Sequence, residues 1–444
     1  MDTRIASWSN VCPATTTLAD FSEAEWERRL RAGAVVPRGA GRSFGDAAYV
    51  SEGSTLRSAR LLELGPIEAA ATEAGRATIR VGAGVSVGEL HRHVNAAGFR
   101  FAIYGGTQWA TVGGAIGSDI HGKNHAAAGS FGEHVLALEL LTARGERLTC
   151  SRAQHPELFA ATIGGMGMTG FILGATLALR RGRPCAVETR WRTVPGFAAM
   201  LDAFEADSAT YRFYSFVDLS RRDPRGLYCS AKTLEGSSAL DPGLARLDRT
   251  LTLPLPRVRV LTAPVVRAFD RLLHGVGRPR DGVTHERNFN FSGIHEKLFH
   301  WNRLFGPRGF IEYQFALPRE PFVDVLEHAC AGARERGLCL RFAVVKHFGE
   351  REAAGLLSFP SAGYTINFQV EDGAEARALL DRVTDRVADA GGRLYLAKDA
   401  VASAAQFEGM YPSFDRWREV VATHDPDAKI ASNLSRRLGL KRGA

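Results

Sequence analysis

A histidine pair, His121 and His125, closes a glycine-rich stretch of the chain, with Lys123 between the two in sequence. The stretch from 105 to 125 reads GGTQWATVGGAIGSDIHGKNH. Glycine lets the backbone approach a ligand closely because it has no Cβ, and successive exposed N–H groups form a concave anion site. The composition therefore favours main chain that holds a diphosphate and a flat ring. The alternative is a plain glycine-rich turn followed by surface histidines.

A second glycine-rich segment, residues 35–46, reads VVPRGAGRSFGD. Two arginines, Arg38 and Arg42, flank its glycines and could bind phosphate charge. The spacing G-x-G-x-x-x-G is not the Rossmann fingerprint, and the next segment, AAYVSEGSTL, is strand- and turn-like rather than an amphipathic helix. Two phosphate-type loops that are neither Rossmann nor P-loop indicate a different dinucleotide-binding fold.

Both loops resemble those of the vanillyl-alcohol-oxidase-type (PCMH-type) flavoproteins. Further segments carry the same resemblance: AAAGSFGEHV, GGMGMTGFILGAT, WNRLFGPRGFIEYQF, LLSFPSAGY and GGRLYLAKDA. Within that superfamily the motifs are most similar to those of the enzymes that oxidise lipid-linked ribose. The resemblance implies FAD as cofactor and an α+β fold. It also implies a two-lobed FAD-binding domain and a second, substrate domain built on an antiparallel sheet covered by helices.

Composition excludes several other classes of protein. The 444 residues carry a net charge of +8, which favours anionic partners. No basic run with interleaved aromatics is present, so nucleic-acid binding is not expected. The six cysteines lack C-x-x-C spacing, which argues against a zinc site and predicts free thiols in a reducing compartment. The N-terminus has no apolar signal core, and a cytoplasmic location is expected.

The longest apolar patch, residues 251–269, is interrupted by prolines and arginines and predicts no transmembrane helix. Core or lid packing is favoured for it, with peripheral membrane contact as the alternative. Residues 1–180 and 391–444 are assigned to the FAD-binding domain, and 181–390 to the substrate domain. Residues 234–291, rich in Gly, Pro and Arg, are the candidate for a mobile lid.

Periodicity predicts the elements of the substrate domain. Strands are expected at Arg212–Val217, Gly309–Leu317, Leu338–Val345 and Tyr364–Val370, and helices at Pro321–Arg336 and Ala374–Ala390. Nearer the N-terminus, an amphipathic helix is expected at Phe21–Arg31, opened by a capping box between Ser22 and Glu25.

The resemblance also assigns the cofactor contacts. The diphosphate is expected on the first loop and on the start of the second, at Arg38, Gly39, Ala40, Gly41, Arg42, Ser43, Gly45, Gly106, Thr107, Thr111, Gly113 and Gly114. The flavin ring is expected against Ser118 to Gly122, with Ile172 and Tyr395 helping to hold it. Many members of the superfamily carry a histidine in the first loop that bonds covalently to the flavin. Arg42 stands there in this chain, so the FAD is expected to be non-covalent.

Two residues are the candidates for catalysis. His121 could polarise the substrate or support the flavin, and the alternative for it is a purely structural histidine. Lys398 matches a lysine that faces the flavin beside the substrate hydroxyl in relatives, where a lowered pKa would let it take a proton. Gln314 and Lys346 lie on predicted strands that line the substrate side in relatives.

The implied reaction is the oxidation of a secondary sugar hydroxyl to a ketone by hydride transfer to flavin N5. In the relatives, a separate short-chain reductase reduces the ketone to the epimeric alcohol, and the resemblance implies such a partner here. The alternatives are an aldonolactone or alditol oxidase, although those usually carry the histidine link, and a flavin-binding protein without catalysis. Retention of both catalytic candidates argues against the last.

Departures from the family pattern bear on the substrate. Asn367 stands where the lipid-linked ribose oxidases have cysteine, Thr365 where asparagine is usual, and Glu312 where a second glutamine is usual. Residues two apart on a strand share a face, so Glu312 and Gln314 point the same way. A carboxylate there would repel phosphate and attract an amine. We therefore expect the substrate to be a soluble, amino-bearing sugar. In the alternative, Glu312 pairs with a nearby arginine and the substrate is a lipid-linked ribose.

Overall fold

The computed structural model describes residues 2–69, 75–103, 105–182, 186–207, 212–233, 251–252, 256–277, 282–287, 298–351 and 353–441. The strands form three sheets of four, six and eight strands and a separate two-stranded parallel pair. The fold is α+β, as the sequence predicts.

The first sheet is formed by the N-terminal part of the chain. Its strands are β1 (Asp2–Ile5), β2 (Ala14–Asp20), β3 (Val35–Arg38) and β4 (Ser54–Arg57), in the order β1-β2-β4-β3. Helix α1 (Glu23–Ala32) connects β2 to β3. The Ser22 side chain accepts a hydrogen bond from the Glu25 backbone, as a capping box requires. The Glu25 carboxylate, however, binds Arg28 and Arg29, so only half of the predicted box forms.

The second sheet is antiparallel and carries the central glycine-rich segment on one side. Its strands are β5 (Leu64–Ala69), β6 (Arg76–Gly82), β7 (Phe99–Arg100), β8 (Val135–Leu141), β9 (Arg147–Ser151) and β10 (Phe171–Arg181). The helices among them are α2 (Val87–Ala96), α3 (Val112–Gly117), α4 (His125–Ala128) and α5 (Pro156–Thr162), with a 3₁₀ turn at Phe131–His134. Just past the end of helix α2, Gly98 adopts φ 81°, the left-handed conformation that glycine commonly takes after a helix C-terminus.

The third sheet is the large antiparallel one. Its strands are β11 (Ala186–Pro195), β12 (Arg212–Asp218), β13 (Arg225–Thr233), β15 (Gly282–Arg287), β17 (Phe310–Leu317), β18 (Arg341–Gly349), β19 (Gly363–Glu371) and β20 (Arg393–Leu394), in the order β15-β11-β13-β12-β18-β19-β17-β20. The parallel pair is β14 (Leu251–Thr252) with β16 (Leu298–Phe299), and a 3₁₀ turn follows at Trp301–Leu304.

Helices cover one face of the third sheet. Among them are α6 (Gly196–Ala206), α8 (Arg319–Glu335) and α9 (Ala374–Asp389), while α7 (Ala263–Gly277) lies nearer the other face. Strand β17 alternates between the two faces. Tyr313 and Phe315 point to the helices, where the Tyr313 hydroxyl lies 2.9 Å from Thr384 Oγ1 and the Phe315 ring packs on Phe322. Glu312 and Gln314 therefore point away from the helical layer.

The C-terminal segment contains α10 (Ala404–Glu408), α11 (Phe414–His424) and α12 (Asn433–Arg437). It packs on the N-terminal sheets: the Trp417 indole donates to the Ala161 carbonyl, and Arg437 bridges Asp46 and Asp399. These contacts agree with assigning the tail to the FAD-binding part, although the domain boundaries themselves stay a prediction.

The predicted strands and helices of the large sheet are present, with ends shifted by at most four residues. Several helices were not predicted, among them α3, α6 and α7. Helix α3 is hidden by its three glycines, and α7 lies in the segment assigned to a lid. Of that segment, residues 234–250, 253–255, 278–281 and 288–291 lie outside the described residues. No helix among the described residues is long and apolar enough to cross a membrane.

Candidate active site

A cavity of about 970 Å³ lies between the two glycine-rich loops and the uncovered face of the large sheet. Its volume is at the upper end for small-molecule sites. One end is walled by backbone of the loops at 37–44 and 105–118, and the other by side chains of β12, β17, β18 and β19. A dinucleotide and a substrate could therefore occupy one continuous space.

The two loops fit against each other only because glycines stand at the contact. A Cβ at Gly39 would come within 2.2 Å of Thr111 Oγ1. The same hydroxyl caps α3 by accepting from Gly114 N at 3.2 Å. Gly41 adopts φ 66°, and a Cβ there would meet the Arg38 guanidinium. The cradle is thus open main chain beside two arginines, Arg38 and Arg42, which suits a diphosphate.

Asp119 holds the turn that ends the second loop. It is fully buried at φ 40°, and its carboxylate accepts hydrogen bonds from Ser130 Oγ and Gly132 N, each at 2.8 Å. Burial raises its pKa to about 6 against the opposing effect of these hydrogen bonds. The turn that presents Ser118 and Gly122 to the cavity is consequently fixed from behind.

His121 lies where the loop meets the large sheet. Its Nε2 is 3.1 Å from Gln314 Nε2 and 3.5 Å from Lys346 Nζ. Burial, followed by the charges of Lys346, His125 and Lys398, lowers the His121 pKa well below its usual value. The ring is therefore neutral, and two donors converge on Nε2. With Nε2 as the acceptor of these two contacts, the proton is assigned to Nδ1, which is buried without a hydrogen-bond partner.

Lys398 and Glu312 form an ion pair at the cavity wall. Lys398 Nζ donates to Glu312 Oε1 at 2.9 Å, and Asn367 Nδ2 donates to the same oxygen at 3.0 Å. The Glu312 side chain is 4% exposed and that of Lys398 is 17% exposed. Glu312 Oε2 is buried without a hydrogen-bond partner. The alternative to an amine-binding Glu312 was an ion pair with a nearby arginine. Glu312 does form an ion pair, but its partner is a lysine.

Lys346 is the contrasting lysine of the site. It lies on β18, lines the cavity and forms no ion pair with a described carboxylate. Burial, then the positive charges of Lys398 and Lys123, lowers its pKa to about 7, with Glu312 opposing the effect. A lysine in this setting carries a substantial neutral fraction at neutral pH.

Most predicted site residues line this cavity, but two do not. Thr365 is fully buried behind Gln314: its hydroxyl accepts from Gln314 Nε2 at 3.1 Å and donates to the Phe315 carbonyl. It positions Gln314 rather than meeting a ligand. Gly45 packs on the backbone carbonyl of Asp399, which a Cβ would approach to 1.7 Å. It closes the loop onto the C-terminal segment instead of walling the cavity.

The remaining predicted residues lie on the wall, namely Arg38, Gly39, Ala40, Gly41, Arg42, Ser43, Gly106, Thr107, Thr111, Gly113, Gly114, Ser118, His121, Gly122, Ile172, Glu312, Gln314, Lys346, Asn367, Tyr395 and Lys398.

Sequence reasoning missed the far end of the cavity. Lys123 sits 3.8 Å over the Tyr214 ring, and its place between two histidines was the one available signal. Val265 and Phe269 on α7 add an apolar border to the cavity, and these two residues are 45% and 40% exposed. Asp270 on the same helix also lines the cavity, and burial followed by the charge of Asp218 raises its pKa to about 7.

The sequence of this chain is similar to those of known FAD-binding proteins. A family model described as FAD binding domain matches residues 23–151. The chain is 32% identical over 464 residues to decaprenylphosphoryl-β-D-ribose oxidase of Mycolicibacterium smegmatis, covering 98% of this chain and 97% of that protein. It is 35% identical over 358 residues to an uncharacterized protein of Streptomyces coelicolor, covering 76% and 94%. A shorter match, 33% over 114 residues, is to D-arabinono-1,4-lactone oxidase of Eremothecium gossypii, covering 26% and 21%.

Proposed function

Because this chain belongs to the vanillyl-alcohol-oxidase-type family of FAD-dependent oxidoreductases, we propose that it oxidises a secondary hydroxyl of a sugar to a ketone. The observation that carries the proposal is the pair of unlike lysines, Lys398 and Lys346, in the cavity that the glycine-rich loops enclose. Lys398 forms an ion pair with Glu312, whereas Lys346 has no acid partner among the described residues. Removing a hydride and a proton from a carbinol calls for both kinds of group.

The cofactor is FAD. Bound in the cradle, it supplies the hydride acceptor, and the protein supplies orientation and charge. The open main chain of both loops with Arg38 and Arg42 would hold the diphosphate. The turn fixed by Asp119, together with Ile172 and Tyr395, would hold the ring system.

The side chains divide the work at the substrate hydroxyl. Lys398 forms an ion pair with Glu312, and its other N–H bonds can donate to the carbinol oxygen as negative charge develops there. Lys346, in its neutral form, takes the hydroxyl proton. His121 is neutral with Nε2 occupied by donors, so it orients Gln314 and Lys346 rather than accepting the proton.

The substrate class that the cavity favours is a pentose joined through phosphate to an apolar chain. Lys123, which lies over the Tyr214 ring at the far end of the cavity, adds positive charge there. Val265 and Phe269 give the mouth an apolar border suited to a lipid. The relative from M. smegmatis is named for a substrate of this kind. A ketone product would then be consumed by a separate short-chain reductase if the overall conversion is an epimerisation.

A soluble, amino-bearing sugar is the second candidate. It is supported by acceptor oxygens on the cavity wall: Glu312 Oε2 and Gln369 Oε1 are buried without partners, and Asp270 forms no hydrogen bond or ion pair to a described residue. An ammonium group offers three donors and no acceptor. In this case Glu312 and Asp270 would bind the amine.

Anaerobic mixing with a substrate panel separates the two candidates. Polyprenylphosphoryl ribose is expected to bleach the flavin, whereas amino sugars and aminoglycosides leave it oxidised. A Glu312→Gln variant serves as the comparison because it removes the negative charge and keeps the shape. If amino sugars bleach the flavin and Glu312→Gln weakens their binding about tenfold or more, the second candidate is correct. Dithionite, which reduces any competent flavin, is the positive control, and failure of every sugar would contradict the proposed function.

The FAD is predicted to be non-covalent, since Arg42 offers no nucleophile where related loops have a histidine. Precipitation of the purified protein with acid should release the yellow colour into the supernatant. An Arg42→Lys variant should behave in the same way with weaker retention of FAD, because lysine keeps the charge but not the forked donor geometry. A precipitate that stays yellow over a clear supernatant would show a covalent link.

A further inference from the structure

A second cavity of about 820 Å³ lies apart from the cofactor and substrate space. It is bounded by the turn between β1 and β2, the segment around Arg257, the turn before β17 and the first turn of α9. The segment at residues 7–11 separates the two cavities: Ser7 lines this one, whereas Trp8 lines the larger one. None of the residues assigned to FAD or substrate borders it.

Positive charge dominates the lining. Four arginines face the cavity and Asp372 is the one acidic residue in the described lining. The cationic residues are Arg4, Arg257, Arg308 and Arg377. Repulsion among these guanidinium groups destabilises the folded protein unless nearby anions offset it.

The nearby carboxylates are already in use. Asp372 binds Arg377 through two hydrogen bonds, of 2.8 and 3.0 Å. Glu371, just behind the wall, pairs with Arg308 and also accepts from Arg259 at 2.7 Å. Arg341 lies 3.4 Å from the same carboxylate. Asp372 and Glu371 are therefore both paired with other arginines and do not neutralise the remaining two arginines of the lining.

Arg257 and Arg4 are those two. Arg257 Nη1 is buried with no hydrogen-bond partner, and burial together with the charge of Arg303 lowers the Arg257 pKa. Arg4 forms no ion pair with a described residue and faces the same space. A half-buried guanidinium with an unmet donor, beside three others, lacks a counter-anion in the described part of the chain.

We propose that this cavity is a binding site for a phosphate-bearing ligand, with Arg257 as its central contact and Arg4, Arg308 and Arg377 around it. Guanidinium groups present forked donors that match the oxygens of a phosphate or diphosphate. Because Asp372 and Glu371 hold Arg377 and Arg308 in place, two of the four contacts are oriented before the ligand arrives. The ligand chemistry could come from a soluble phosphate ester or from the headgroup of an anionic lipid.

Calorimetric titration of the FAD-saturated holoenzyme with inorganic pyrophosphate, in a phosphate-free buffer, tests the proposal. Saturating FAD keeps the probe out of the glycine-rich cradle. One saturable site is expected, and Arg257→Gln should raise its dissociation constant by about tenfold or more, the usual loss for a charge-assisted contact. Arg4→Gln, an exposed position whose replacement should not disturb folding, is expected to act in the same direction. Arg144→Gln, on the exposed turn between β8 and β9, is the matched control and should bind like the wild type.

A second arm distinguishes the two sources of phosphate. Co-sedimentation with phosphatidic acid vesicles that depends on Arg257 and Arg4, without pyrophosphate binding, would assign the site to a lipid headgroup. Absence of saturable binding to either probe would overturn the proposal. So would pyrophosphate binding that is equal in the wild type, Arg257→Gln and Arg4→Gln, because the probe would then occupy another site.

Discussion

Replacing Lys398 with methionine is expected to slow anaerobic reduction of the bound FAD by substrate about a thousandfold, with the FAD still bound. Lys398 is the cation that the ion pair with Glu312 holds at the wall of the cavity. Loss of one preorganised donor at a developing oxyanion commonly costs two to three orders of magnitude. Stopped-flow recording of the visible flavin absorbance measures the rate, and the absorbance before mixing measures the occupancy by FAD.

A stability effect accompanies this substitution and has to be separated from the catalytic one. Without Lys398, the carboxylate of Glu312 loses its charge partner while almost fully buried, which destabilises the fold by roughly 3 kcal/mol or more. Adding Glu312→Gln removes the stranded charge. The double variant should therefore recover most of the lost melting temperature and none of the lost rate. If the double variant also recovered the rate, Lys398 would act only by holding Glu312.

The sequence predicted which side chains of strand β17 share a face, but it did not predict the ion pair that Glu312 forms with Lys398. The sequence FIEYQFAL alternates, and the period of two places Glu312 and Gln314 on one face, as the structure has them. The partner of Glu312, however, is 86 residues further along the chain, on the segment that returns after α9. Local sequence holds no information on which of the basic residues reaches a given carboxylate. The sequence alone therefore could not test the hypothesis that Glu312 is free to bind an amine.

The elements that escaped prediction did so for physical reasons. Helix α3 has the sequence VGGAIG, in which glycine's poor helix propensity hides a turn that the Thr111 cap and the surrounding loop stabilise. Helix α7 begins after a proline- and arginine-rich run that conceals its apolar side. Thr365 was assigned to the ligand because it shares a face with Asn367, but side chains of one face can lie at different depths, and Gln314 covers it.

Lys346 is expected to set the pH dependence of the same reaction. A proton can be taken only by the neutral amine, so the rate of flavin reduction should rise about tenfold per pH unit below the Lys346 pKa of about 7 and level off above it. His121 cannot produce this limb, because its pKa lies well below the usual value. Asp270, at the far end of the cavity, also has a pKa raised to about 7, so variants of Lys346 itself are needed to assign the limb.

Two substitutions at Lys346 distinguish a base from a fixed cation. Lys346→Met removes both functions, whereas Lys346→Arg keeps the charge and cannot release its proton in the accessible pH range. If Lys346 is the base, both variants should be slower by about a hundredfold or more at pH 8 and should lose the rising limb. Retained activity in Lys346→Arg would instead assign Lys346 to binding of an anionic group. Competitive acetylation of the substrate-free enzyme, read by mass spectrometry across pH, gives an independent measure: the Lys346 amine should become reactive near pH 7, about three units below an ordinary lysine.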